Sequence, residues 1–141
     1  NRGFLPLLDD VSASEEARIL MHHEVMLTDL GRDGVLSCHE DLSRSSTYIY
    51  ANESGPTPSQ LALKMRDSHA QFFSLQGDGL LDGCKLNDGI VFNHPDSSFE
   101  AWLHLCGAAS SYCTETPGLA NFETRVLANA AMVKTFIECH M

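Results

Sequence analysis

Basic side chains are scarce in this sequence: nine Lys and Arg stand against nineteen Asp and Glu, a formal charge of −10 over 141 residues. Without a basic stripe to neutralise phosphates, nucleic acid is excluded as a partner. The same balance favours a soluble acidic protein suited to cations or basic ligands. No apolar run approaches the roughly 20 residues of a membrane span, and no signal-peptide pattern stands at Asn1, an abrupt start compatible with a trimmed terminus. Five cysteines are present but no CxxC pair, and the step from Cys106 to Cys113 is too wide for the usual zinc knuckle. Their odd number fits two disulfides plus one thiol, or five reduced thiols. No GxGxxG or P-loop spacing occurs, so nucleotide binding has no support. No nucleophile elbow frames His69, His94 and His104 among the many serines, so a Ser/His/Asp hydrolase lacks a local signature.

What is present reads as helix and loop. Hydrophobic content of 43% is ordinary for a globular chain with a core. Residues 13–28 form a helix capped by Ser12 or Ser14, with acids in the first turn and Ile19, Leu20, Val25, Met26 and Leu27 on its apolar side. A helix restarts at "PSQLALKMRDSHAQFF" with Ser59 as cap. Another begins near Ser98, with Phe99, Trp102, Leu103 and Cys106 on one stripe. The last, "NFETRVLANAAMVKTFIECHM", repeats Val126, Leu127, Ala130 and Val133 at helical spacing. The expected fold class is all-α, built of helix–loop–helix units with short loop-to-loop β contacts. An N-terminal unit covers residues 1–50, a polar linker holding prolines covers 51–59, and paired units cover 60–141.

Three intervening loops resemble one another. They are "DLGRDGVLSCHE" (Asp29 to Glu40), "SLQGDGLLDGCK" (Ser74 to Lys85) and "CTETPGLANFET" (Cys113 to Thr124). Each has Gly at its sixth position (Gly34, Gly79, Gly118) and an apolar residue at the seventh (Val35, Leu80, Leu119). This pattern resembles the EF-hand family, whose twelve-residue loop offers oxygens from positions 1, 3, 5, 7, 9 and 12 around Ca²⁺. The second and third units are similar to the secretory EF-hand pair of the multiple coagulation factor deficiency protein and the cell growth regulator with EF hands. There "LLDG" and "GLANFETRV" match loop turns and the end of the last loop. The resemblance implies a calcium site in the first loop: Asp29, Asp33, the Val35 carbonyl, Ser37 and Glu40. Gly31 at position 3 offers no oxygen, which weakens it. In the second loop Ser74 and Gln76 are neutral and Lys85 replaces the closing acid; its ammonium is expected to pair with Asp78 or Asp82.

The function implied is a small acidic protein-binding module with mostly degenerate loops and at most one weak calcium site, more a binder than an enzyme. Three hands leave one unpaired, so a disguised fourth hand or a homo- or hetero-oligomer is expected. One alternative is a true calcium sensor with a groove for a partner helix. Another is a helical enzyme, or enzyme subunit, unrelated to EF-hands. "MHHE" and "CHE" also suggest a transition-metal cluster of His22, His23, Cys38 and His39. Adjacent helical histidines point about 100° apart, however, and surface histidines explain them better. The sequon at Asn52 favours a secretory or extracellular location over a cytoplasmic one.

Overall fold

The computed structural model describes residues 3–4, 13–94 and 96–141. Helices α1 (Glu15–His22) and α2 (Glu24–Leu30) lead into strands β1 (Val35–Asp41) and β2 (Tyr48–Glu53). Helix α3 (Gln60–Ala70) precedes the short strands β3 (Gly79–Leu81), β4 (Cys84–Asn87) and β5 (Ile90–Phe92). Helix α4 (Phe99–Leu105), strand β6 (Ser110–Pro117) and helix α5 (Phe122–Glu138) complete the chain. The strands form one mixed sheet in the order β1-β6-β2-β5-β4-β3. The expected all-α fold is therefore corrected to α/β, and the EF-hand resemblance goes with it.

The helices begin where hydroxyl and amide caps permit. Ser14, Ser59, Ser98 and Asn121 each accept a hydrogen bond from the backbone N–H three residues on, satisfying one of the orphan donors of a first turn. The strands are what periodicity missed. The first supposed calcium loop is largely β1, a strand whose side chains alternate between faces rather than converging on an ion. The supposed linker begins inside β2, which pairs antiparallel with β6 and parallel with β5; the expected unit boundary near residue 50 falls inside this strand.

The second loop is a hairpin. Leu81 pairs with Cys84 across Asp82 and Gly83, and Asn87 pairs with Ile90 across Asp88 and Gly89. All four turn residues have positive φ, between 50° and 86°. That is the signature of the two-residue turns whose twist matches the strands, and Asp-Gly is a favoured pair for them. Asp82 lies 3.5 Å from Arg44, and Asp78 accepts the Asp88 N–H at 2.7 Å, so the acids expected to meet Lys85 are engaged elsewhere.

Strand β6 lies between β1, its parallel neighbour, and β2, its antiparallel one. Its alternation sorts the two layers. Tyr112, Thr114 and Thr116 face α3 and α5, where Ile49, Ala51, Ala62, Met65, Ile90 and Met132 form a buried cluster with Tyr112. Ser111, Cys113 and Glu115 face the opposite side, covered in part by α4. There Phe4, Ala17, Trp102, Leu103 and Ala108 pack, with Phe4 and Phe99 rings 5.5 and 5.8 Å from Trp102. The hydroxyls of β6 are bonded rather than stranded: Ser111 Oγ donates to the Glu100 carbonyl at 2.6 Å and Thr116 Oγ1 to Asn129 Oδ1 at 3.1 Å. This is how a serine- and threonine-rich segment becomes a buried strand. Among the described residues no helix is long and apolar enough to cross a membrane.

Candidate metal centre

Parallel pairing sets His39 of β1 directly beside Glu115 of β6, two residues along from Cys113, which pairs with Ser37. Because side chains alternate along a strand, His39, Cys113 and Glu115 all emerge on the α4 side of the sheet. One ligand atom from each lies within 4.8 Å of the others. His39 Nδ1 is 3.8 Å from Glu115 Oε1, and Cys113 Sγ is 3.8 Å from the same oxygen. Glu100, in the first turn of α4, brings its Oε1 to 3.7 Å from His39 Nε2.

These side chains line a cavity of about 140 Å³. Tyr50 and Asn52 of β2 form its floor beside Cys113, and His94, Asp96 and Ser98, ahead of α4, form another wall. Burial is strong: Cys113 is 5% exposed and Glu100 2%. Among the described residues no Lys or Arg lines the cavity. Burial, followed by the Asp41 charge, raises the Glu115 carboxyl to about 7, although the Cys113 thiol acts in the opposite sense. Burial also pushes the Cys113 thiol far above its ordinary range, and the charges of Glu100 and Glu115 add to the effect. A thiol and a carboxyl held in their protonated forms can exchange those protons for a divalent cation, which reverses the local electrostatics.

The donor set fits a metal. Imidazole nitrogen, thiolate sulfur and carboxylate oxygen form a borderline-soft set suited to zinc, whereas calcium takes six to eight hard oxygens. Among the described residues Glu100 Oε1 is buried without a hydrogen-bond partner, an orphaned acceptor next to this cluster. Three protein donors beside a cavity also match the open coordination of catalytic zinc sites better than the closed fourfold sets of structural ones.

The residues expected to bind calcium lie elsewhere. Asp29, at the end of α2, pairs with Arg32. Asp33 is exposed in the turn before β1. Val35 and Ser37 are on β1, and Glu40, on its other face, pairs with Arg125 of α5. Asp29, Asp33 and Glu40 do not form one of the His, Cys and acid groups that could hold a metal among the described residues. Of the suggested cluster of His22, His23, Cys38 and His39, only His39 joins the centre. His22 and His23 are on α1 and at its end, and Cys38 emerges on the other face of β1. Cys113 and Glu115 had been placed in a loop. The signal that would have found them is the alternation Cys-Thr-Glu, which puts both on one strand face. Cys38, Cys106, Cys113 and Cys139 are thiols. Asn52 is buried at 8% exposure, with its amide toward Ser111 at 3.4 Å, so the folded chain does not present it to solvent.

No protein-family model matches the chain, and no curated protein does. Solved structures do. One from Shewanella denitrificans is 42% identical with a TM-score of 0.90, covering 99% of this chain and 51% of its own. One from Shewanella baltica is 39% identical with a TM-score of 0.94, covering 100% and 54%. A third, from Shewanella amazonensis, is 39% identical with a TM-score of 0.91, covering 99% and 54%. Each carries the name "putative metallopeptidase". The chain thus spans about half the length of the structures it resembles. This likeness corrects the EF-hand reading, including the calcium-binding module and the sensor, and it points toward an enzyme where a binder was expected. It also suggests a metal cofactor.

Proposed function

We propose that the chain carries a zinc-class metal centre of a metallohydrolase acting on peptide or related amide bonds. The observation that carries this reading is the convergence of His39, Cys113 and Glu115 within 4.8 Å at the wall of a cavity. The names of the similar structures support the reaction class. His39 Nδ1, Cys113 Sγ and a Glu115 oxygen would hold the ion, leaving its cavity side open. When bound, the metal supplies Lewis-acid polarisation of a carbonyl and a lowered pKa for a coordinated water.

The chain's own groups then bind and orient. Tyr50 and Asn52 offer hydroxyl and amide groups along one wall to position a polar substrate. His94 on the facing wall is suited to carrying a proton, imidazole being both donor and acceptor.

Metal analysis and calorimetry of the purified chain test the reading. Stoichiometric Zn²⁺ binding is expected, lost in Cys113→Ser and Glu115→Gln and unaffected by millimolar Ca²⁺. Binding that survives both substitutions, or no zinc binding at all, would sink it.

A further inference from the structure

We infer that Glu100 is a positioning residue, which holds His39 through its Nε2–H and so turns Nδ1 toward Cys113 and Glu115. The assignment rests on the metal-centre reading above. Its geometry is specific: Glu115 Oε1 meets one ring nitrogen at 3.8 Å, and Glu100 Oε1 meets the other at 3.7 Å. The two ring nitrogens point away from each other, so a single imidazole cannot present both to one ion. Glu115 Oε1 and Cys113 Sγ lie 3.8 Å apart on the Nδ1 side, and Glu100 Oε1 approaches from the Nε2 side.

A buried carboxylate oxygen without a donor is costly, and native proteins rarely keep one without a reason. Glu100 Oε1 is such an atom, on a residue only 2% exposed. A metal-ligating histidine commonly gives its second N–H to a carboxylate, which fixes the tautomer and ring orientation and raises ligand basicity. Glu100 supplies that acceptor in the place it is needed. Its backbone is held for the purpose: Ser98 caps α4, and Ser111 Oγ of β6 donates to the Glu100 carbonyl at 2.6 Å. Helix α4 is thereby tied to the strand that carries the other two donors. The approach of 3.7 Å is somewhat long for a hydrogen bond, as catalytic contacts often are before the complete site forms.

The test uses the whole chain and zinc or cobalt alone. Zinc affinity, read by competition with a chromophoric chelator, should fall about 10- to 100-fold in Glu100→Gln and Glu100→Ala, with recovery in Glu100→Asp. The absorption of the cobalt-loaded protein should change in the same order. Nitrogen NMR of the zinc-loaded wild type should find the His39 proton on Nε2, a readout that mere packing by Glu100 would not set. Unchanged affinity and cobalt spectrum in Glu100→Gln, or a His39 proton on Nδ1, would overturn the assignment while leaving the metal centre intact. Failure of the wild type to bind either ion would overturn both.

Discussion

His69 is a side chain committed to structure, on the sheet face opposite the cavity. It is fully buried, with Thr47 Oγ1 2.6 Å from its Nδ1. The single Thr47 hydroxyl hydrogen goes to the Glu115 carbonyl at 2.9 Å. Thr47 Oγ1 can therefore accept from Nδ1–H, while Thr116 Oγ1 stands 3.4 Å from Nε2. Burial lowers the His69 pKa to about 4, against about 6.5 in an unfolded chain. Below pH 6.5 the unfolded chain takes up a proton that the folded one refuses, so stability falls from about pH 6.5 down to about pH 4. The whole effect amounts to roughly 3 kcal/mol at 1.36 kcal/mol per pKa unit. Urea midpoints measured across that window should fall less steeply in His69→Gln than in the wild type. Parallel slopes would show that His69 does not drive the loss. The two histidines are sorted by their elements: α3 buries His69 against the sheet, and the alternation of β1 turns His39 to the cavity.

At the scale of elements, the helices were legible and the strands were not. Caps and apolar periodicity marked the starts of α1, α3, α4 and α5 to within a few residues, since both signals are local, but the single helix expected over 13–28 is broken at His23 into α1 and α2. The Asp82-Gly83 turn was equally local but was misread, because the rhythm of Gly and Asp belongs to calcium loops and to hairpins alike. Leu80, Leu81, Ile90 and Val91, flanking this turn and the Asp88-Gly89 turn, were the discriminating residues. The turns give a graded prediction. At φ of 86° and 72°, Gly83→Ala and Gly89→Ala should each cost about 1 kcal/mol of backbone strain. Gly89→Ala should cost more, since its new Cβ would meet Leu75 Cδ2 at 2.9 Å while Gly83 faces open space. Chemical denaturation of both variants would check the order. On the α4 side, Trp102→Ala should cost about 3–5 kcal/mol by removing the centre of the Phe4, Phe99 and Leu103 packing, measured in the same way.

For the whole molecule, the candidate site was invisible as a unit because its parts are distant in sequence. His39 stood out in "CHE", and Cys113 and Glu115 stood out only as poor loop ligands. No local pattern records that β1 and β6 lie side by side. A parallel pair needs long connecting chain, and this one encloses most of the fold. The same arrangement predicts coupling between metal and stability. At zinc one hundred times its dissociation constant, the chain should gain about 2.7 kcal/mol. Its melting temperature should then rise with zinc concentration, and Cys113→Ser should abolish that rise. A melting curve indifferent to zinc would separate the donor cluster from the stability of the fold.

The position of β6 also bears on how the molecule comes into being. Among the described strands, the one that carries Cys113 and Glu115 comes after all the others in sequence, yet it lies between β1 and β2. While the chain emerges from a ribosome, β1 and β2 must wait apart, with a gap between them that only β6 fills. Contacts of such long sequence separation form slowly, and unpaired strand edges left open meanwhile invite association with other chains. His39 therefore spends the nascent period without its partners. On the proposed metal centre, an ion captured at that stage would meet only part of its binding set, and full coordination would follow closure of the sheet.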